Sequence, residues 1–397
     1  MGLESTPNAL RVHIAFFGLR NAGKSSLVNA VTNQEIAVVS DTKGTTTDPV
    51  YKSMELLPLG PVVIIDTPGF DDEGDLGKKR IEKTKQVLAK CDIAVMVSEA
   101  GRNLNVAENE LVEIFKQKNI PYIIVFNKCD LSQNKVLEGS NVIYTSAVQK
   151  INIDALKNML ASVVNPAKKE KRILGDLIAE GQVVVLVTPI DESAPKGRMI
   201  LPQVQTIRDI LDSDAICVVT KENTFSKTLD LLGDKVKLVV CDSQVFKLIN
   251  ELTPPEISLT SFSILMARFK GYLKTAFESI RVIDTLNDGD KILISEGCSH
   301  HRQCGDIGTV KLPNLIKKYT GKNIQFDFTQ GSEFPGDLTG YKLVIHCGGC
   351  MLNEREVQNR MEVSLEKGVP FSNYGIAIAY MNGIIKRSTG IFKELEM

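Results

Sequence analysis

The sequence lacks a long apolar run, an excess of either charge and a recognisable leader. No stretch of 18 apolar residues occurs, and the amino-terminal MGLESTPNAL does not have the basic-then-apolar layout of a secretory signal. Lysine and arginine number 47 against 48 acidic residues, so no global field favours nucleic acid or an anionic membrane. We therefore expect a cytoplasmic protein that binds neither membranes nor nucleic acid.

Histidine is scarce, and most of it is clustered with cysteine. Three of the four histidines and four of the eight cysteines fall in the last 100 residues: Cys298, His300, His301, Cys304, His346, Cys347 and Cys350. A reducing compartment argues against a disulfide framework, so this clustering indicates a metal site. The remaining cysteines, Cys91, Cys129, Cys217 and Cys241, are typical of structural thiols that pack as small hydrophobes.

Short β-rich apolar runs alternate with helical stretches along the chain, which predicts an α/β protein with mostly parallel sheets. The first segment contains the runs RVHIAFFG, VVIIDTPG, CDIAVMVS, PYIIVFNKCD and NVIYTSA. A second alternation begins at QVVVLVTPI, and a third begins near SLTSFSILMARFKG. We predict three domains, at residues 1–172, 173–255 and 256–397. The apolar segment FSNYGIAIAYMNGII is interrupted by Asn and Gly, which favours a buried element over a membrane span.

A phosphate-binding loop is predicted at Gly18–Ser25, where GLRNAGKS matches GxxxxGK[ST] between an apolar strand and a helix. Glycines let backbone N–H groups wrap the phosphates at a helix N-terminus. Lys24 would bridge the β- and γ-phosphates, and the Ser25 hydroxyl would ligate Mg²⁺. The predicted phosphate contacts are Gly18, Asn21, Ala22, Gly23, Lys24, Ser25, Ser26 and Gly69.

Four further motifs follow in the order of the translation-factor-like GTPases. Asp66-Thr67-Pro68-Gly69 closes a strand, and Asp66 would hold Mg²⁺ through water. In the segment GTTTDP, Thr46 or its neighbour Thr45 would complete the Mg²⁺ shell. Asn127-Lys128-Cys129-Asp130 resembles the NKxD guanine reader, and Ser146-Ala147 resembles the backbone contact to the guanine carbonyl. The guanine-binding residues Asn127, Lys128, Asp130, Ser146 and Ala147 predict GTP rather than ATP, and GTP hydrolysis as the activity.

Two residues refine the expected mechanism. Phe70 stands where Ras-like enzymes place the glutamine that orients the attacking water, so intrinsic hydrolysis should be slow or use another device. Asn21, together with the GTT switch, resembles the tRNA-modification GTPases that use a potassium ion in place of an arginine finger. In those relatives the asparagine ligates K⁺; the alternative is that Asn21 only caps or shapes the loop.

Two short motifs, Cys298-Ser299-His300 and His346-Cys347-Gly348-Gly349-Cys350, each follow a strand-like run. Loops at strand ends can converge in space, and Cys-x-x-Cys lets two thiolates reach one metal centre. Spacing alone does not separate zinc from an iron–sulfur cluster, since both accept thiolates. Three cysteines with an open fourth ligand favour a [4Fe–4S] cluster with an exchangeable position.

A GTPase with an asparagine in its phosphate loop, joined to a CxH…HCxxC cluster, resembles the maturation GTPases of di-iron (FeFe) hydrogenases. The resemblance covers the whole chain and implies a GTPase domain, a dimerisation domain and a cluster-binding domain. It also implies GTP, Mg²⁺, K⁺ and a [4Fe–4S] cluster on Cys298, Cys347 and Cys350. The fourth ligand is left open among His300, His346 and Asp191.

The resemblance further implies a role as scaffold and carrier. Such a protein receives the di-iron subcluster made with two radical-SAM enzymes and passes it to the hydrogenase apoprotein, and it forms a homodimer or a higher assembly. A second hypothesis from another class is a potassium-activated GTPase of RNA modification or ribosome assembly with a structural zinc site. The balanced charge and the absence of a basic, aromatic-interleaved patch count against it.

Overall fold

We describe a computed structural model that covers residues 6–34, 48–69, 83–132, 134, 136–163, 171–190, 199–298 and 306–395. The chain divides into two compact units, residues 1–169 and 170–397. Each unit is built from mostly parallel sheets flanked by helices, so the predicted α/β class is confirmed.

The first unit is organised around a six-stranded sheet. Its strands are β1 (Val12–Gly18), β2 (Val50–Leu56), β3 (Gly60–Asp66), β4 (Ile93–Glu99), β5 (Tyr122–Asn127) and β6 (Val142–Tyr144). The order is β2-β3-β1-β4-β5-β6, and only β2 runs antiparallel to its neighbour. The four central strands are almost entirely buried, as expected for a parallel sheet covered on both faces.

Helices cover both faces of this sheet. They include α1 (Lys24–Thr32), α2 (Val106–Gln117) and α3 (Ile153–Val163). Buried side chains of α1 and α3 share one core with alternate residues of the strands, and those of α2 join the core on the opposite face. The start of α2 is fixed by a capping box, in which Asn105 and Glu108 each accept from the other's backbone N–H.

The second unit contains two four-stranded parallel sheets. The first comprises β7 (Val183–Val187), β8 (Ile216–Thr220), β9 (Val236–Cys241) and β10 (Ser258–Ser261), in the order β10-β9-β7-β8. Its neighbouring helices are α4 (Leu201–Leu211), α5 (Phe225–Leu232) and α6 (Phe246–Leu252). Strand β10 lies just beyond the predicted boundary at residue 255 and pairs with β9, so this sheet extends past that boundary.

The second sheet of this unit comprises β11 (Lys291–Glu296), β12 (Gln325–Gln330), β13 (Tyr341–His346) and β14 (Phe371–Asn373), in the order β12-β11-β13-β14. The helices around it are α7 (Phe262–Phe269), α8 (Leu273–Ser279), α9 (Leu312–Thr320), α10 (Glu354–Glu366), α11 (Tyr374–Met381) and α12 (Ile385–Thr389). Both sheets of the unit share one continuous hydrophobic core.

Helix α11 confirms the buried element predicted in FSNYGIAIAYMNGII. Seven of its eight residues are buried, and its apolar residues surround the whole helix rather than forming one stripe. Across the described residues, no helix is long and apolar enough to cross a membrane.

Candidate functional site

The loop between β1 and α1 has the tight backbone that the phosphate-binding motif requires. A side chain at Gly18 would place its Cβ 2.2 Å from the Val97 carbonyl oxygen, and one at Gly23 would come within 2.3 Å of Asn127 Nδ2. Gly23 and Asn21 both adopt left-handed backbone angles, with φ of +82° and +59°. Glycine and asparagine are the residues that accept this conformation most readily.

Lys24 and Ser25 follow directly at the start of α1. The Lys24 ammonium donates to the carbonyl oxygens of Gly18 and Leu19, at 3.0 Å each, and only 7% of the residue is exposed. The loop therefore curls around a cation. Ser26, also predicted to contact phosphate, is partly buried in the same first turn.

Asp66 and Ser25 form the part of the predicted magnesium site that the structure describes. Ser25 Oγ donates to Asp66 Oδ2 at 2.8 Å. Asp66 Oδ1 is buried and has no hydrogen-bond partner among the described residues. Burial raises the pKa of Asp66, against the opposing effects of Ser25 and Lys24. A buried carboxylate oxygen without a donor, beside a serine hydroxyl, fits a hard cation such as Mg²⁺.

Several predicted residues around this site lie outside the described residues, namely Thr45, Thr46 and Phe70. Gly69 is described and follows Thr67, whose backbone N–H and hydroxyl both donate to the Phe16 carbonyl. Those bonds fix the chain leaving β3 beside the end of β1. The segment that would meet the γ-phosphate is thereby held next to the phosphate loop.

Asn127 joins three of the predicted motifs. Its Nδ2 lies 3.2 Å from the Ala22 carbonyl oxygen and 3.4 Å from that of Gly23, and its Oδ1 accepts from Ala147 N at 3.1 Å. The residue is only 2% exposed. The NKxD motif, the phosphate loop and the Ser146-Ala147 motif are therefore fastened through one side-chain amide.

The rest of the predicted guanine pocket surrounds this amide. Lys128 takes a left-handed backbone angle, with φ of +62°, and its ammonium pairs with Glu99 at 2.9 Å. Ser146 Oγ accepts from Gln149 N at 3.1 Å, which closes the turn after Ala147. Asp130, the predicted reader of the guanine base, is partly exposed.

Replacing Asn127 with alanine tests this arrangement. Asn127→Ala should weaken GTP and GDP binding alike, by about 10- to 100-fold, because it releases the phosphate loop and leaves buried groups unpaired. It should leave the preference for guanine over adenine in place, whereas Asp130→Asn should reduce that preference. Titration calorimetry with GTP, GDP and ATP measures both effects.

Asn109→Ala is the matched control for that experiment. Asn109 also donates to two backbone carbonyls, at 3.1 and 2.9 Å, but it lies on the surface in the first turn of α2. Its loss should leave nucleotide affinity unchanged. Equal affinities for the Asn127 variant and this control would contradict the assignment.

The predicted metal-binding cysteines lie at the carboxyl ends of two neighbouring strands. Strands β11 and β13 run parallel, with Ser295 opposite His346. Cys347 follows β13 directly, and Cys298 comes two residues after the end of β11. The carboxyl edge of an open α/β sheet, between strands whose connections diverge, is the usual position of a ligand site. Topology therefore brings Cys298 and Cys347 to one edge of the sheet.

Backbone donors point at the Cys347 sulfur. Gly297 N donates to Cys347 Sγ at 3.0 Å, and Gly349 N does so at 3.4 Å. Such N–H···S bonds stabilise cluster-bound thiolates and tune their potentials. Burial raises the pKa of the Cys347 thiol, and burial together with Cys347 raises that of Cys350 to about 12. The Lys270 ammonium opposes the rise at Cys350.

The cysteine sulfurs and the hydrogen-bond donors around them are suited to hold a thiolate-bound cluster. The cysteines among the described residues form no disulfide, and two of them have neighbouring sulfurs with backbone or ammonium donors nearby. Within those residues no group of three or more His, Cys, Asp or Glu side chains is assembled closely enough to hold a metal ion. His300, His301, Cys304 and Asp191 lie outside them.

His346 is described, and both of its ring nitrogens are engaged. Nδ1 lies 2.7 Å from the Cys347 carbonyl oxygen, and Nε2 lies 3.2 Å from Arg360 Nη1. Burial, with the neighbouring Arg360 charge, lowers the pKa of this fully buried imidazole to about 3. In this arrangement neither nitrogen is open to a metal. No local signal in the sequence marks Arg360, Tyr272 or Lys270, which the structure places around the same loop.

Comparison with known families divides the chain into three matches. Residues 13–128 match the 50S ribosome-binding GTPase family. Residues 173–271 match the hydrogen maturase F dimerization domain, and residues 274–391 match the hydrogen maturase F tetramerization domain. The first match confirms the predicted P-loop GTPase fold, and the others confirm two further domains after it.

Two curated relatives each align with a part of this chain. The tRNA modification GTPase MnmE of Clostridioides difficile is 34% identical over 155 residues, which is 37% of this chain and 33% of the relative. MnmE of Thermoanaerobacter sp. strain X514 is 34% identical over 158 residues, 38% of this chain and 34% of the relative. The chain thus spans about a third of the length of these relatives. A crystal structure of Aquifex aeolicus Era bound to GDP and AlF4⁻ aligns with 56% of this chain and 99% of that chain, at 19% identity and a TM-score of 0.34.

Proposed function

This chain belongs to the hydrogen maturase F family of hydrogenase maturation GTPases, and on that premise we propose that it is a GTP-hydrolysing scaffold that carries an iron–sulfur cluster. Its role would be the assembly of the di-iron active site of FeFe hydrogenases. The observation that carries the proposal is the position of Cys298 and Cys347 at the carboxyl ends of the neighbouring parallel strands β11 and β13, within the matched tetramerization domain. A GTPase that acts only on RNA would have no use for two cysteines at that edge of the sheet.

The nucleotide would bind where the phosphate loop now closes on Lys24. The Lys24 ammonium is within 3.0 Å of two loop carbonyls, so β- and γ-phosphates entering the loop would find a cation already in place. Ser25 and Asp66 would hold Mg²⁺, whose charge offsets that of the phosphates. The unpartnered Asp66 Oδ1 supports this assignment. Guanine would be read by Asp130, and Thr45 or Thr46 would close the magnesium shell.

Potassium would supply the charge that an arginine finger supplies elsewhere, with Asn21 as a ligand. The left-handed angle at Asn21 supports a special role for this loop position, and the MnmE relatives support the kind of GTPase. Phe70 is apolar and has no group to orient the attacking water. The cation is therefore the main candidate for stabilising the developing charge.

Replacing K⁺ with Na⁺ should slow GTP hydrolysis on the order of tenfold or more, because the lost interaction acts on charge that develops only in the transition state. Asn21→Gly should hydrolyse GTP at that slow rate in both salts. Glycine keeps the left-handed backbone without strain, so a change reports the lost amide. Phosphate release in KCl and NaCl measures the rates. Equal wild-type rates in the two salts would remove potassium from the proposal.

The cluster would be a [4Fe–4S] centre held by Cys298, Cys347 and Cys350. The two backbone N–H donors at Cys347 and the ammonium of Lys270 beside Cys350 support thiolates at these positions. A fourth position, open to His300, Asp191 or an exchangeable ligand, would leave one iron free to bind cargo. The cargo would be the di-iron subcluster, received from two radical-SAM enzymes and passed to the hydrogenase apoprotein.

Changing each of these cysteines to alanine tests the cluster. Cys298→Ala, Cys347→Ala and Cys350→Ala should each lower iron content below about a quarter of the wild-type value, because the centre needs all three thiolates. Each should abolish hydrogenase maturation and leave GTP hydrolysis intact, since the GTPase motifs lie in the other unit. Anaerobic metal analysis and visible absorption measure the iron.

Cys217→Ala is the control, since Cys217 lies on β8 and belongs to neither motif. It should keep its iron. Unchanged iron in all three motif variants would defeat the cluster assignment. Stoichiometric zinc and a colourless protein would instead favour a GTPase with a structural zinc site.

Self-association would use the free edge of the first sheet in the second unit. Strand β8 has only one neighbour, β7, in the described sheet, and it exposes Ile216 and Val219 by 50% and 45%. The adjacent helix α4 also exposes Val204 and Leu211. An exposed β-branched edge is a template for pairing with another chain. The match of residues 173–271 to a dimerization domain supports a second copy as its occupant.

The double variant Ile216→Lys/Val219→Lys should weaken the dimer by on the order of 100-fold, because charged side chains block edge pairing and remove apolar contact. Light scattering after size exclusion, across micromolar concentrations, measures the mass. Leu57→Lys is the control, since Leu57 is 79% exposed but lies between β2 and β3 of the first unit. A dimer that survives the double variant would place the interface elsewhere.

A further inference from the structure

The two peptide groups that flank the Cα atom of Cys347 are both held by hydrogen bonds. Its carbonyl oxygen lies 2.7 Å from His346 Nδ1 and accepts from Tyr272 Oη at 3.0 Å. Its N–H donates to the Ser295 carbonyl at 2.9 Å. A carbonyl with two side-chain donors and an N–H in the strand ladder has little freedom to rotate. Because both flanking peptide groups are held, the direction of the Cα–Cβ bond of Cys347 is fixed with them.

The first donor is itself fixed by a buried guanidinium. Arg360 Nη1 lies 3.2 Å from His346 Nε2, and a guanidinium has only donors, so Nε2 must accept. The neutral imidazole then carries its proton on Nδ1, which makes Nδ1 the donor to the Cys347 carbonyl. His346 is fully buried and Arg360 is 2% exposed, so water does not compete for these bonds.

Arg360 is in turn locked in place by the rest of its surroundings. Nη2 donates to Glu356 Oε1 at 3.0 Å and to the Gly331 carbonyl at 2.6 Å, while Nη1 also lies 3.3 Å from Ser295 Oγ. Its guanidinium carbon lies 5.4 Å from the centre of the Phe334 ring. The side chain therefore links α10 to the ends of β11, β12 and β13.

The second donor, Tyr272, is held by Asn373 at the N-terminus of α11. Tyr272 Oη accepts from Asn373 Nδ2 at 3.1 Å, and Asn373 Oδ1 caps the helix by accepting from Gly375 N and Ile376 N. Tyr272 is 1% exposed and Asn373 is fully buried. A hydroxyl that accepts from Asn373 has its own proton free for the Cys347 carbonyl. Two independent chains of bonds thus end on one oxygen atom.

These chains end beside a sulfur that itself accepts from two backbone N–H groups, those of Gly297 and Gly349. We propose that Cys347 is the preformed anchor of the cluster site and that Arg360, His346 and Tyr272 are positioning residues for it. The proposal rests on the proposed cluster function. It adds that the Cys347 thiol is held in place by these three residues before the cluster binds. Cys347 would be held in a fixed orientation before any iron binds, and His346 would orient its carbonyl instead of binding iron.

The first experiment uses the full-length protein without iron. Tyr272→Phe removes only the hydroxyl, so Cys347 should react with iodoacetamide about fivefold faster than in the wild type, as expected when one buried hydrogen bond no longer opposes local opening. Mass spectrometry reports the labelling of Cys347, with Cys217 as the internal reference. Tyr319→Phe is the matched control, since Tyr319 donates to Asp284 at 2.9 Å on the surface of the same unit. Equal labelling in the two variants would overturn the proposal.

The second experiment uses the iron-reconstituted protein. His346→Asn keeps an amide donor where Nδ1 stood, so it should retain iron and restore the wild-type EPR spectrum that His346→Ala loses. Arg360→Lys should retain iron with a shifted spectrum and midpoint potential. A wild-type protein labelled with ¹⁵N-histidine should show no directly bound histidine nitrogen from position 346, with His346→Asn as the reference sample. A bound nitrogen that disappears in that variant, or an asparagine variant no better than alanine, would overturn the positioning role.

The two experiments also separate this inference from the proposed function. If the wild type binds no iron, the cluster proposal fails, but the labelling of Cys347 still tests whether the hydrogen bonds fix its position. If iron binds and the labelling does not respond to Tyr272→Phe, the cluster stands and the anchor is wrong.

Discussion

Strands that run parallel must end at the same edge of their sheet, and every candidate site in this protein depends on that geometry. In the first unit, Gly18, Asp66 and Asn127 are the last residues of β1, β3 and β5. In the second unit, Cys298 and Cys347 follow the ends of β11 and β13. Each set is widely separated in sequence and is gathered by backbone hydrogen bonding alone. The chemistry is then decided by a few side chains at each edge.

At both edges one buried polar group fastens two loops together. The Asn127 amide joins the phosphate loop to the Ser146-Ala147 turn, and the Cys347 carbonyl joins the end of β13 to the Tyr272 side chain just before α8. A buried polar group that loses its partners costs about 1–3 kcal/mol, so each loop is stable mainly in the arrangement that satisfies it. Because a disordered loop would leave these buried groups unpaired, both loops are expected to be rigid before a ligand binds. Rigid loops bind with a smaller loss of entropy than loops that must order on binding.

The predictions from sequence succeeded where the signal was local. The phosphate loop is eight consecutive residues between a strand and a helix, and the apolar runs of the central strands reflect burial on both faces. Strand β2 was missed because six of its seven residues from Val50 to Leu56 are partly or largely exposed and polar residues interrupt it, so neither apolar continuity nor clean alternation marks it. Its position is set by pairing with β3, which is a tertiary interaction.

The network around Cys347 could not be read from sequence for the same reason. The helix that carries Arg360, EREVQNRMEVSLE, has the composition of a solvated surface helix, yet Arg360 and Glu356 are 2% and 7% exposed. Tyr272 lies 75 residues from Cys347, and nothing in GYLK distinguishes it from an ordinary core tyrosine. Their roles follow from a contact that exists only once β13 and its helices are assembled. The motifs therefore predicted which residues bind nucleotide or metal, and the structure showed which other residues hold them in place.

Burial of the thiols also explains why the proposed cysteine site would require a metal. Burial raises the pKa of the Cys347 and Cys350 thiols, so ionising them is unfavourable unless positive charge is close by. The N–H donors at Cys347 and the ammonium of Lys270 supply part of that charge but leave the thiol pKa values raised. In the proposed function, metal ions would supply the remainder, and because a group that binds only the folded state stabilises it, cluster binding and folding of this edge would be coupled.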